Sequence, residues 1–330
     1  MSARKTETRI PAGGAPSDLG QEVVATDGRC ALVSFITSPL AINRENTYVV
    51  FVTDASLAAE AESFEWTFTQ NGGTPNIQTT DYGEIFFTPS EMGTVNVALR
   101  ILDSASAEQA RLELDQEVVP VNPELEALIN NSANEEGPGI GNPDVARELV
   151  NDHNPYYQNV ALQTPEADDA FKRFVFSVVF DGALARPATR RKEHLNRLAA
   201  ALNGGNGDFI TLVAEGAGVC GVRLALLAMV VGTPTPLLAW TELPEADDQR
   251  ASADEQLREA LAALDDQARI DLFNLARFPK SNITRCAQIV EALRDHYFPG
   301  TNFNDVLTGM SGTRAHWITR HYNEGPLVRT

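Results

Sequence analysis

Lysine is scarce in this 330-residue chain: of 26 basic residues only Lys5, Lys172, Lys192 and Lys280 are lysines, against 45 Asp and Glu and a formal charge of -19. A chain this acidic repels nucleic-acid phosphates and anionic membrane surfaces unless it carries a local basic patch, so no nucleic acid is expected as a partner. The lysine-poor, alanine-rich balance reads as genome bias or a salty habitat before it reads as function. Cysteine is scarcer still. Cys30, Cys220 and Cys286 are odd in number, far apart and form no C-x-x-C, which argues against a disulfide framework or a cysteine-based zinc site and leaves free thiols in a reducing compartment as the expectation. The five histidines form no H-x-x-x-H, and His316 and His321 stand five apart, off a common helical face. The segment MSARKTETRIPAGG carries positive charge with no apolar stretch behind it, so no Sec-type signal peptide is expected. The expected location is the cytoplasm, or outside the cell as part of a particle exported without such a signal. Gly137, Gly139 and Gly141 have no strand before them, no lysine after them and prolines on both sides; they do not make a phosphate loop, and no cofactor is expected.

What the chain does have is one long apolar run, residues 209–231 (FITLVAEGAGVCGVRLALLAMVV), interrupted in charge only by Glu215 and Arg223. Those charges, with Gly216, Gly218 and Gly221, argue against a membrane span. The pattern predicts a short segment to Gly216 and then a buried helix from Val219, with Leu224, Leu226, Leu227 and Val230 in the core.

Residues 1–20 read as a flexible arm. Over residues 23–121 the period is two: Phe64, Trp66 and Phe68 alternate with Glu65, Thr67 and Thr69, and Val95, Val97, Leu99 and Ile101 alternate with polar or small residues. Further strands are expected at 31–36, 47–52, 84–87 and 111–119, separated by turn clusters such as residues 70–75. Six or seven short strands in about 100 residues predict an antiparallel sandwich over 21–122.

The run Phe64-Glu-Trp-Thr-Phe68, followed by Phe87-Thr-Pro-Ser-Glu-Met-Gly93 and an alternating strand to Asp103, resembles the PKD (polycystin-type) immunoglobulin-like module. Val95 stands where that family usually has an aromatic residue, and Thr69-Gln70-Asn71 replaces its Gly-Asp-Gly turn. The resemblance implies an Ig-like β-sandwich that serves as a spacer or as a protein or glycan contact; it covers the N-terminal part only.

A linker is expected at 123–143. From there the period becomes 3.6: Phe171, Phe174, Val175 and Val178 share a face, Ser252 to Glu255 form a capping box, and Ile283, Cys286, Val290, Leu293 and Tyr297 recur at three and four residues before Pro299-Gly300. Residues 144–330 are therefore expected to form an all-α domain.

Candidate sites are few. Glu215 is weighed as a desolvated general acid, and Cys220 as a nucleophile with a histidine as base; the competing readings are a capping or arginine-paired carboxylate and a small buried residue. Asp54, Asp81 and Asp103 are the Ca²⁺ candidates on an acidic sandwich, although no D-x-D-x-D loop supports them. Arg186, Arg190, Arg191 and Lys192 form the one basic cluster, a candidate surface for an acidic protein partner. The function this favours is a non-enzymatic structural or protein-interaction component with the sandwich as docking module, with a subunit or cargo of a phage-like or contractile particle as the setting by analogy of fold. The alternative is a glycan or peptide hydrolase whose helical domain is catalytic and whose sandwich targets substrate.

Overall fold

The structure, a computed structural model, describes residues 23–37, 39–120, 216–218, 220–230 and 261–308, with isolated positions between 171 and 202, at 238–239 and 259, and between 314 and 328. The chain divides into two units, Met1–Pro155 and Tyr156–Thr330.

In the first unit the alternating stretches become β5 (Ser63–Gln70) and β8 (Gly93–Leu102), which pair antiparallel with Trp66 opposite Leu99. Phe64, Trp66, Phe68, Val95, Val97, Leu99 and Ile101 are all buried, as the period requires. One sheet contains β1 (Val23–Thr26), β2 (Cys30–Ser34), β4 (Asn46–Val52) and β7 (Glu84–Phe87) in the order β1-β2-β4-β7, all antiparallel. The other has the order β3-β9-β8-β5-β6, adding β3 (Leu40–Ala41), β6 (Asn76–Thr80) and β9 (Glu108–Val119). Its β3 runs parallel to β9, so this sheet is mixed rather than purely antiparallel.

Aromatic rings connect the two sheets. Phe68 of β5 stacks on Phe87 of β7 at 4.1 Å between centroids and meets Tyr48 of β4 at 5.7 Å. Trp66 is fully buried, and its indole N–H donates to Thr80 Oγ1 at 3.0 Å, which removes the cost of burying that donor.

Three strands and one helix were not expected from the period. β1 and β3 are too short to display one, and β6 (NIQTT) is nearly all polar. The helix α1 (Ala55–Glu60) is six residues long and starts because Asp54 accepts a hydrogen bond from the backbone N–H of Leu57 at 2.8 Å.

In the second unit Phe171, Phe174, Val175 and Val178 are helical and buried. Its helices among the described residues include α2 (Leu224–Val230), α3 (Asp266–Arg277), α4 (Pro279–Tyr297) and α5 (Phe303–Thr308). Asp265 caps α3 by accepting from the N–H of Ala268. Phe278 then leaves the helical region (φ -77, ψ 125) because Pro279 follows it, and that same proline opens α4 at its first turn. Ile283, Cys286, Val290 and Leu293 bury one face of α4. Phe303 of α5 meets Phe171 at 4.7 Å and Phe174 at 5.7 Å.

The apolar run differs from its expectation at its start. Gly216–Ala217 (β10) and Val222–Arg223 (β11) form an antiparallel hairpin, and the helix begins at Leu224 rather than Val219. Gly218 and Gly221 adopt φ of 71° and 60°, left-handed values that end any helix there. A second ribbon pairs Leu238–Ala239 (β12) with Leu327–Val328 (β13), so this unit is helical with two short ribbons rather than all-α. Strands of two residues leave no period to read.

Leu224, Leu226 and Leu227 are completely buried, and α2 packs on α3 and α4; the side chain of Val230 lies outside the described residues. Among the described residues no helix is long and apolar enough to cross a membrane. Replacing Leu227 with Ala is expected to cost about 2–5 kcal/mol, seen as a matching loss of hydrogen-exchange protection along α4; unchanged protection would show that α2 is not central to this core.

Candidate functional site

Cys220 sits in the turn between β10 and β11 and is 2 % exposed. The turn closes by a hydrogen bond from the Gly221 N–H to the Gly218 carbonyl at 3.2 Å. A buried amide from α4 clasps it: Asn282 Oδ1 accepts the Cys220 N–H at 2.8 Å, and Asn282 Nδ2 donates to the Ala217 carbonyl at 3.2 Å. The Tyr322 hydroxyl donates to the Cys220 carbonyl at 3.0 Å. Both backbone groups of Cys220 are thus held by buried side chains, which fixes the turn. A Cβ on Gly218 would lie 2.1 Å from the Ala276 carbonyl oxygen, so the hairpin approaches the end of α3 as closely as a glycine allows. Cys286 is fully buried on α4. His296, the one histidine among the described residues, is exposed at the end of α4 and edge-on to Tyr297.

Glu215 lies outside the described residues, as do Arg186, Arg190, Arg191 and Lys192.

On the β unit the carboxylates serve its loops. Asp54 caps α1 as described. Asp103 Oδ1 accepts from the N–H groups of Ala105 at 2.9 Å and Ala107 at 2.8 Å, while its Oδ2 takes Gln109 Nε2 at 2.7 Å, shaping the β8–β9 hairpin. Asp81 is exposed in the β6–β7 connection. No group of three His, Cys, Asp or Glu among the described residues could hold a metal ion.

The sequence reading passed over Asp27, which the Asp27-Gly28 turn signal would have singled out. Its Oδ1 accepts from the N–H groups of Arg29 at 2.8 Å and Cys30 at 2.9 Å, and the Arg29 guanidinium reaches Oδ2 at 3.0 Å. Burial pushes this carboxyl up, but the donors outweigh it and hold it at about 2. Burial, with Asp27 alongside, in turn pushes the Cys30 thiol up to about 12, far from a reactive thiolate.

The outward face of the five-stranded sheet is charged. On β9 the exposed row is Arg111, Glu113, Asp115 and Glu117. Arg111 pairs with Glu113, and Asp115 accepts from Asn96 Nδ2 at 3.0 Å. Arg100 on β8 bridges Glu65 at 2.7 Å and Glu108 at 2.6 Å. Positive charge thus sits toward one end of this face and uncompensated carboxylates toward the other.

No family model matches the chain, and no curated protein matches it. Among solved structures it aligns with a chain titled pT26-6p at 10 % identity and a TM-score of 0.11, over 89 % of its own length and 49 % of the other's. The chain therefore spans about half of that protein, and a score of this size does not establish a shared fold.

Two expected outcomes test these assignments. Asn282→Ala strands the Cys220 N–H and the Ala217 carbonyl in the interior, costing about 1–3 kcal/mol per group, read as a lowered unfolding midpoint of the second unit; an unchanged midpoint would show that water replaces the amide without loss. The Asp27 carboxyl is depressed on folding from 3.8 to about 2, so its stabilisation is fully present above about pH 4 and is lost as pH falls through about 2. The deficit of Asp27→Ala relative to wild type in denaturant titrations should hold at pH 7 and close between pH 4 and 2; a deficit independent of pH would exclude the charged carboxylate as its source.

Proposed function

We propose that the chain is a non-enzymatic protein-interaction component, with its first unit an Ig-like, PKD-like sandwich acting as the docking module. The observation that supports this most is the parallel pairing of β3 with β9, Leu40 opposite Val118. The chain follows β2 along β4 and then crosses to the opposite sheet to run beside the last strand, as a first strand split between two sheets does in Ig-like sandwiches. The pairings β4 with β7, β5 with β8 and β8 with β9 correspond to the B–E, C–F and F–G pairs of that arrangement, with Trp66 on the strand that carries the core tryptophan.

A rigid sheet presenting Asp115 and Glu117 in one row, beside Glu113 that Arg111 already pairs, suits a partner with a basic surface. Such contacts set orientation and association rate more than raw affinity, and they weaken with salt. A larger assembly, as subunit or cargo of a particle, is the setting proposed by analogy of fold.

The full chain carrying Glu113→Lys, Asp115→Lys and Glu117→Lys tests this by crosslinking in its native cells. The expected result is loss of the crosslinked partner at least about 10-fold, with an unfolding midpoint close to wild type, since exposed substitutions usually change stability by no more than about 0.5 kcal/mol. A partner retained equally by both proteins would overturn the assignment of this face.

A further inference from the structure

A sheet edge is a row of unpaired backbone N–H and C=O groups, and soluble proteins normally guard it. Three of the four edges in the first unit are guarded. β1 is broken by a bulge between Val23 and Ala25, β3 is only two residues long and leaves the rest of its side of the sheet to β9, whose Glu108, Arg111, Glu113, Asp115 and Glu117 are charged, and β7 is four residues long and buries Glu84.

The remaining edge, β6, has no such device. It lies outermost in its sheet with Asn76, Ile77, Gln78 and Thr79 exposed in succession, Ile77 at 60 %. It contains no ionisable side chain in a chain of net charge -19. Its neighbour β5 carries one charge, Glu65, and Arg100 neutralises it at 2.7 Å. The two outermost strands therefore carry no unpaired charge that would hold a second copy away from this edge.

We propose that β6 pairs antiparallel with β6 of a second copy of this chain, centred on Gln78, joining two five-stranded sheets edge to edge about a twofold axis. In that register Ile77 faces Thr79 of the other copy, Asn76 faces Thr80, and Asp81 faces Pro75. The two Asp81 carboxylates then stand six residues apart along the strand, about 20 Å, beyond the Debye length of about 8 Å at physiological salt. A parallel in-register pair would place them side by side, so charge selects the antiparallel arrangement. A foreign strand could use the same backbone groups, but β6 offers no charge with which to choose one. A five-residue contact is smaller than a standard interface, so the dimer forms and dissociates with concentration. This surface is separate from the β9 row and does not depend on its partner.

Sedimentation velocity on the full chain over a concentration series provides the test. Wild type should pass from monomer to dimer, and Ile77→Lys should raise the dissociation constant at least about 10-fold by placing like charges across the edge. Gln78→Cys places two thiols across the twofold within disulfide reach, and all three native cysteines are buried, so background crosslinking is low. Oxidation should trap Gln78→Cys as a covalent dimer and leave Thr94→Cys, exposed on another strand, monomeric. Should Ile77→Lys fail to fold, the cysteine pair still decides. A wild type that stays monomeric at every concentration, a dimer indifferent to Ile77→Lys, or crosslinking at Thr94→Cys but not at Gln78→Cys would each overturn the proposal.

Discussion

The first unit depends on a buried cluster of four polar side chains, Ser34, Asn46, Tyr48 and Gln116, at the point where the chain leaves one sheet for the other. Irregular backbone crossing a core loses its ladder partners, and each stranded group would cost about 1–3 kcal/mol. Here Asn46 Oδ1 accepts the Ile36 N–H at 3.0 Å, and Gln116 Nε2 donates to the Ile36 carbonyl at 3.0 Å and also to that of Thr37. The Ser34 hydroxyl donates to the Ile36 carbonyl and accepts from Asn46 Nδ2 at 2.8 Å, while the Tyr48 hydroxyl donates to Gln116 Oε1 at 2.5 Å. Burial pushes the Tyr48 hydroxyl well above its ordinary value, so it stays a protonated donor throughout the physiological range. Residues from β2, β4 and β9 converge on three backbone groups of Ile36 and Thr37. That convergence lays β3 beside β9 and sets the parallel register on which the Ig-like reading rests.

The second unit meets the same constraint in the same way. The Gly216 to Arg223 hairpin enters a helical core with backbone groups that no ladder satisfies, and one amide, Asn282, takes one from each side of the turn. Charges buried nearby are met by rings and carboxylates. Arg277 lies 4.9 Å from the ring of Phe278, and Arg294 lies 4.9 Å from that of Phe303 while its guanidinium meets Asp295 at 2.7 Å. Burial and the neighbouring Asp295 push the Glu291 carboxyl up. Cys220 belongs to this frame: the structure uses its backbone rather than exposing its sulfur.

How much of this was legible follows from what makes a period. β5 and β8 were readable because each buries one face over many residues, and α4 because Ile283, Cys286, Val290 and Leu293 return at helical spacing. The switch to β3 was not readable, since Gln116 looks like one more polar residue on β9 until its partners 80 residues away are in place. Asn282 is similar, a polar side chain on the buried face of α4 with no local cue beyond that misplacement. The break between α3 and α4 was available in Pro279, whereas the β10–β11 hairpin was hidden because its glycines interrupt an apolar run that otherwise reads as helix. The basic cluster and Glu215 fall outside the described residues, so their candidacy rests on the sequence alone.

The acidity of the chain also takes on different meanings once the carboxylates are placed. Asp27, Asp54 and Asp103 each accept hydrogen bonds from one or two backbone N–H groups that a loop would otherwise leave to solvent. A carboxylate committed in this way gives up lone pairs that a cation would need, which weighs against reading such residues as a Ca²⁺ site from their number alone. Asp115 and Glu117 cap nothing among the described residues, and they share the outward face of a strand whose inward residues anchor the sheet switch through Gln116. Their backbone is therefore as fixed as the core beneath it. A partner meeting that row would order side chains but not the strand that carries them, and that is the reason for proposing the β9 face, rather than the acidic loops, as a docking surface.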